Sequence, residues 1–106
     1  MSASQLNTDL RAIRTLLSDP AKWTKGENAR DHEGCGVTFN HPAATCWCLN
    51  GANAKLHARQ HWSRFHAVDK ALTAAATEPG SYLTLNDNGT HPGVMAFLDK
   101  VIEANP

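Results

Sequence analysis

The chain has 106 residues, 42% of them hydrophobic and 19% charged, and ten Lys/Arg balance ten Asp/Glu for a formal net charge of zero. A chain of this length buries roughly two-thirds of its unfolded surface, so one domain over residues 1–106 with one core is expected, without a covalent staple; the composition is too apolar for a disordered chain. Neutrality excludes a global attraction to nucleic acid or to an anionic membrane, so any electrostatic function must be local.

From about Ser4 to Ser18 the residues Leu6, Leu10, Ile13, Leu16 and Leu17 recur at helical spacing, which predicts an amphipathic helix ending near Asp19-Pro20. Asp9, Arg11 and Arg14 interrupt this segment, unlike a signal peptide, and no apolar run reaches the roughly 20 residues of a membrane span. A cytoplasmic protein that does not engage a membrane is therefore expected, with its three cysteines kept as thiols. Residues 20–44 contain Gly26, Gly34, Gly36 and Pro42 and little apolar periodicity, so they read as a long loop with a short strand at Val37 to Phe39. Trp23 and Phe39 are expected to pin this loop to the core, and loops of such length are often functional.

Thr45 can cap a second helix running to about Ala58, and Trp62, Phe65, Val68 and Leu72 predict a third running to about Thr77. No proline or glycine separates Leu56 from Trp62, so one long, bent helix is an alternative. Glu78-Pro79-Gly80 reads as a stop, Tyr82 to Leu85 as an extended piece, and Asn86-Asp87-Asn88-Gly89 as a turn. Thr90 then caps a last helix with Pro92 in its first turn and Val94, Phe97, Leu98, Val101 and Ile102 on one face. The expected fold is mainly α, with about four helices around one core and a loop over 20–44 that carries a short β element. Whether Trp62 and Phe65 face that core or a second subunit is open, which keeps a homo-oligomer among the candidates.

The segment Thr45 to Ala52 holds the densest chemistry, with Cys46 and Cys48 flanking Trp47 where the loop becomes a helix. A thiol at a helix start meets unpaired N–H groups and the positive end of the dipole, which favours thiolate; the plainer reading of Cys48 is a small core residue. A thiol catalyst would take Cys48 as nucleophile, His91 as base, and Asn86 or Asp87 as the orienting group. The plainer reading of Asn86-Asp87 is a hydrogen-bonded turn. His32, Cys35, His41, Cys46 and Cys48 lie within seventeen residues and supply the ligand types that zinc takes, yet their spacing is not that of paired zinc knuckles. No cofactor is the simpler expectation, with zinc as the candidate. Finally Lys55, His57, Arg59, His61, Arg64, His66 and Lys70 form a basic stripe in which His57, His61 and Arg64 share a helical face. It could meet the phosphates of a nucleotide or nucleic acid, an acidic protein surface or a metal, against the plainer reading of a solvated face.

Trp23-Thr24-Lys25-Gly26, Ala29-Arg30-Asp31, Gly34, Trp47-Cys48, Gly51-Ala52, Leu85-Asn86-Asp87 and the closing helix from Thr90 together set a pattern covering about Leu6 to Ile102. In it the chain resembles a family of small uncharacterised proteins of actinobacteria and their phages. That family has no assigned activity, so the resemblance carries over no catalytic or binding residue. It implies that Trp47-Cys48, Gly51-Ala52 and Asn86-Asp87 belong to the family pattern, whereas Cys35, His41, Cys46 and His91 are not regular members of it, so that a zinc or Cys-His site would be a feature of this chain rather than of the family. If Trp47, Cys48, Asn86 and Asp87 meet, they frame a pocket or stitch the loop to the helices. The functional expectation is a phage or mobile-element binding protein that modulates or inhibits a host protein, including as a defence component. The alternatives are a small cysteine-dependent enzyme and a nucleotide or nucleic-acid binder.

Overall fold

A computed structural model of the chain describes residues 4–58, 61–77 and 81–106. Ser4 starts α1 (Gln5–Leu16) by accepting the Asn7 backbone N–H on its hydroxyl at 3.0 Å, which satisfies one of the unpaired donors of the first turn. The apolar stripe predicted for this helix is the buried one: Leu10, Ile13 and the capping Leu17 have no exposed surface. Thr90 caps α5 (His91–Ala104) in the same way through Gly93, and Val94, Leu98 and Val101 meet α1 in the core. The two helices are also tied by polar contacts, since Asn7 Nδ2 donates to the carbonyls of Ile102 and Asn105, and Arg14 pairs with Asp99. The helix α3 (Trp62–Ala75) adds Val68 and Leu72. Each of these buried aliphatic side chains contributes about 1.5–3 kcal/mol relative to exposure.

The long segment after Pro20 is a loop only in part. Asp19 caps a single 3₁₀ turn at Pro20–Lys22, and three two-residue strands follow: β1 (Ala29–Arg30), β2 (Gly36–Val37) and β3 (Cys46–Trp47). They form an antiparallel sheet in the order β2-β1-β3, with Ala29 opposite Val37 and Trp47, and Arg30 opposite Gly36 and Cys46. The strand expected at Val37 to Phe39 thus starts one residue earlier and is shorter. Trp23 and Phe39 pack against the core as expected.

Two expectations fail. The described residues form five helices rather than four, because the piece read as an extended Tyr82 to Leu85 and a turn at Asn86 to Gly89 is the helix α4 (Tyr82–Asn88), capped by the Ser81 hydroxyl. Tyr82 and Asn86, four residues apart, are both buried on one face of it. The second helix also begins later than a Thr45 cap requires. Pairing with β1 holds Cys46 and Trp47 in strand, so α2 (Leu49–Asn53) starts after Cys48. It continues as a π-helical turn over Ala54–Ala58, and His61, at φ −135° and ψ 59°, leaves helical backbone space before α3. This break favours two helices over one long bent helix. Arg59 and the predicted stop at Glu78-Pro79-Gly80 lie outside the described residues.

Candidate functional site

Asn86 is the joint between α4, α2 and the long segment. Its Oδ1 accepts from the Trp23 indole N–H at 2.8 Å and from the Leu49 backbone N–H at 3.2 Å. Its Nδ2 donates to the Thr24 carbonyl at 3.1 Å and to Asp87 Oδ1 at 3.2 Å, so both lone-pair positions and both N–H groups are used. Asp87 Oδ1 also accepts the Gly26 backbone N–H at 3.0 Å. On the other side, the Cys48 backbone N–H donates to the Asn28 carbonyl at 3.3 Å, and a Cβ on Gly51 would overlap that same oxygen. Glycine at 51 is what lets α2 lie against the loop.

These contacts leave a cleft of about 270 Å³ lined by Gly26, Glu27, Asn28, Cys48, Leu83 and Asp87. A wider, shallower hollow of about 580 Å³ adjoins it, bounded by the same Glu27 and Asn28 and by Gly36, Val37, Thr38 and His41. Glu27 and Asn28 stand in the wall of both, and the wider one is an open groove. Trp47, Cys48, Asn86 and Asp87 therefore do come together: Asn86 stitches the loop down, and Cys48 and Asp87 frame the cleft. Trp47 is buried beside them, its indole donating to the Phe39 carbonyl at 2.9 Å and the Lys55 ammonium lying 4.8 Å from its ring centre.

A family model matches residues 1–104 of the chain. The chain belongs to DUF6197, a family of unknown function. No curated protein and no solved structure matches it.

The Cys48 thiol of this DUF6197 chain is not set up as a thiolate. It is 5% exposed, its sulfur accepts the Gly51 N–H at 3.3 Å, and its S–H points at Asn28 Oδ1, 3.7 Å away. Burial pushes its pKa up, more strongly than the backbone N–H groups of Gly51 and Asn50 pull it down, and the Asp87 charge adds to the rise. His91 Nε2 donates to the Leu17 carbonyl at 2.7 Å, which ties the ring to the end of α1 and leaves Nδ1 as the accepting nitrogen of the neutral imidazole. Among the described residues no three His, Cys, Asp or Glu side chains converge as a metal site. Of the zinc candidates, Cys35 and His32 are exposed, with His32 against Glu33, Cys46 is half-buried beside the Arg30 carbonyl, and Cys48 is buried in the cleft wall. His41 is exposed on the groove, its Nδ1 accepting the Ala43 N–H.

The basic stripe divides. His57, 3% exposed, turns inward; its Nδ1 donates to Asn53 Oδ1 at 2.9 Å, and its Nε2 is 3.5 Å from Asp9 Oδ1. Arg64 grips the buried Asp9 carboxylate with two bonds of 2.9 and 2.7 Å, and Gln5 adds a third. Burial raises the Asp9 pKa, but the hydrogen bonds from Arg64 and Gln5 and the nearby positive charges outweigh it and hold the carboxyl below its ordinary value. Burial lowers the His57 pKa despite the attraction of Asp9. His61 and Lys70 remain exposed, and Arg59 is outside the described residues. The solvent face of this region is aromatic instead: Trp62 is 59% exposed, its ring stacked on Phe65 at 5.2 Å and 14°, with the His66 ring edge-on at 4.5 Å.

The sequence had not marked Asn28, Glu27 or Leu83 as site residues, nor Asp9 as buried. Asn28 and Glu27 sit in a segment without periodicity, whereas Asp9, three residues after Leu6 and four before Ile13, falls within the apolar arc of its helix and only its charge pointed to solvent; Arg64, 55 positions away, supplies the partner that its burial requires.

Proposed function

We propose that this DUF6197 protein acts by binding a partner protein, anchored by the aromatic face at the start of α3, and that the partner is a host protein modulated on behalf of a phage or mobile element. The exposed Trp62, stacked on Phe65 and bordered by His66, carries the reading. Tryptophan is enriched among the few residues that dominate interface energies, and a ring already fixed by stacking loses little freedom on docking. The competing readings draw less support. A cysteine enzyme needs an accessible thiolate where Cys48 is buried and protonated. A nucleic-acid face through Arg59, Arg64 and Lys70 has Arg64 engaged by Asp9, with Lys70 exposed and Arg59 outside the described residues.

The test places a photo-crosslinking benzoylphenylalanine at position 62, or at exposed Thr8 on α1 as a control, in cells that express the protein. The expected result is a discrete protein adduct from position 62 that is absent from position 8. No adduct at 62, or the same adducts from both positions, would overturn the reading.

A further inference from the structure

We infer that Asn88, at the joint between α4 and α5, is a site of spontaneous covalent modification, at which the side-chain amide is lost to attack by the Gly89 nitrogen and a carboxylate takes its place. The sequence contains the step Asn-Gly twice, as Asn50-Gly51 and Asn88-Gly89. A glycine after asparagine leaves the attacking nitrogen unshielded by a Cβ and its backbone free to turn, so by sequence alone both steps are labile. The fold separates them.

Asn50 is held. Its Nδ2 donates to Asn28 Oδ1 at 3.2 Å, and the Tyr82 hydroxyl lies 3.3 Å from its Oδ1. The Gly51 N–H is directed to the Cys48 sulfur at 3.3 Å, and Gly51 is buried so tightly against the loop that a Cβ would stand 1.9 Å from the Asn28 carbonyl oxygen. Closing a ring there requires α2 to unwind. Asn88 is instead exposed, the last residue of α4, and it lines an open hollow of about 190 Å³ with Leu85, Gly89 and Gly93. Gly89 has left the helix for extended backbone, at φ −95° and ψ −171°, and its N–H reaches the Asn86 carbonyl only at 3.4 Å. Fraying of one terminal turn frees both reacting groups. Packing also explains why glycine follows Asn88, since a Cβ at 89 would stand 2.6 Å from the Leu85 carbonyl oxygen.

In the reaction the Gly89 nitrogen gives up its proton and bonds to Asn88 Cγ. The Cγ–Nδ2 bond breaks, Nδ2 takes up a proton and leaves as ammonia, and a cyclic imide remains. Water then opens the imide at Cγ, which gives aspartate, or at the main-chain carbonyl, which gives isoaspartate with an extra carbon in the backbone. Either product places a new carboxylate beside Asp87 at the C-terminal end of α4, where the helix dipole is negative and a further negative charge is unfavourable. The same helix carries Asn86, which holds Trp23 and Thr24, so the change loosens the joint that pins the long segment.

The test incubates the whole native chain at mildly alkaline pH, which speeds proton loss from the Gly89 nitrogen, and follows each asparagine by peptide mapping with electron-transfer fragmentation, which separates isoaspartate from aspartate. Position 88 is expected to exchange NH for O first, with Asn50 slower by about tenfold or more because its opening is the costlier one. The exposed Asn40-His41 step, which lacks the glycine, is expected to lag as well. In urea the two Asn-Gly steps should react at comparable rates, and Asn88→Gln should abolish the acidic form at that position. Hydrogen exchange in the modified chain should be faster than in the parent across α4. The inference is overturned by conversion at 50 or 40 before 88 in the native chain, by an Asn88 that is inert until the chain is unfolded, by the same ratio of the two steps in urea as in buffer, or by unchanged exchange of α4 after modification.

Discussion

Asn86 and Asp9 are both buried polar residues on helices, yet the first is held by neutral partners and the second mainly by charged ones. Asn86 gathers an indole N–H, a backbone N–H and a backbone carbonyl from two parts of the chain, and only its fourth bond goes to a carboxylate. Asp9 gathers Arg64, Gln5 and the ring of His57. The first fixes a segment that has almost no apolar periodicity to hold it. The second joins helices whose apolar stripes already bring them together. Buried polar contacts therefore do different work in the two places, and the two clusters should fail differently.

The largest effect is expected from Asn86→Ala. It leaves the Trp23 N–H, the Leu49 N–H and the Thr24 carbonyl without their partner, and it should cost about 3–4 kcal/mol in urea unfolding, with early proteolysis between residues 20 and 28. A loss below about 1 kcal/mol would mean that the loop is held by its strands alone. Asp9→Ala should cost less, about 2–3 kcal/mol, because the apolar contacts of α1 remain while His57 loses its carboxylate and partly exposed Arg64 turns to water. If the two variants lose equal stability, the contrast between a pinned loop and reinforced helices fails.

The smallest effect is the most specific. The folded His57 has a pKa below its ordinary 6.5, so the unfolded chain takes up the extra proton first and stability falls as pH drops below about 6.5. Asp9 is held below its ordinary 3.8, so its contribution is present above that value and is lost only as pH falls further, through the folded pKa. His57→Gln should flatten the first step, whose slope is bounded at about 1.4 kcal/mol per pH unit for one group, and Asn86→Ala should leave that slope in place. Urea unfolding at pH 7.5, 6.5 and 5.5 measures both. An unchanged slope in His57→Gln would remove the histidine from the account.

Where the sequence is periodic it was legible. Leu10, Ile13 and Leu17 of α1, Val68 and Leu72 of α3, and Val94, Leu98 and Val101 of α5 are in the core as their spacing predicts, and Ser4 and Thr90 lie at the helix starts. Where contacts at long range decide, it was not. Asn86-Asp87-Asn88-Gly89 has the composition of a turn, and it becomes the end of a helix because Ser81 caps the start and Asn86 is captured by Trp23, 63 positions away. Thr45 looks like a cap, but the strand pairing of Cys46 with Arg30 moves the cap to Cys48. The i, i+4 pair His57 and His61 shares a face only on a continuous α-helix, and the π turn at Ala54–Ala58 followed by the break at His61 separates a buried ring from an exposed one. The grouping of Trp47, Cys48, Asn86 and Asp87 was legible as a question, and its answer needed the fold.

The packing of α1 on α5 has a kinetic consequence. Arg14 pairs with a residue 85 positions later, and Asn7 with carbonyls farther still. At about 5–20 residues per second of synthesis, α1 waits roughly 4–17 s for the helix that covers it. For that interval Leu10, Ile13 and Leu17 form a greasy stripe on a nascent chain, open to chaperones and to neighbouring nascent copies. Slow codons between α1 and α5 would lengthen that exposure without altering a single contact of the finished protein.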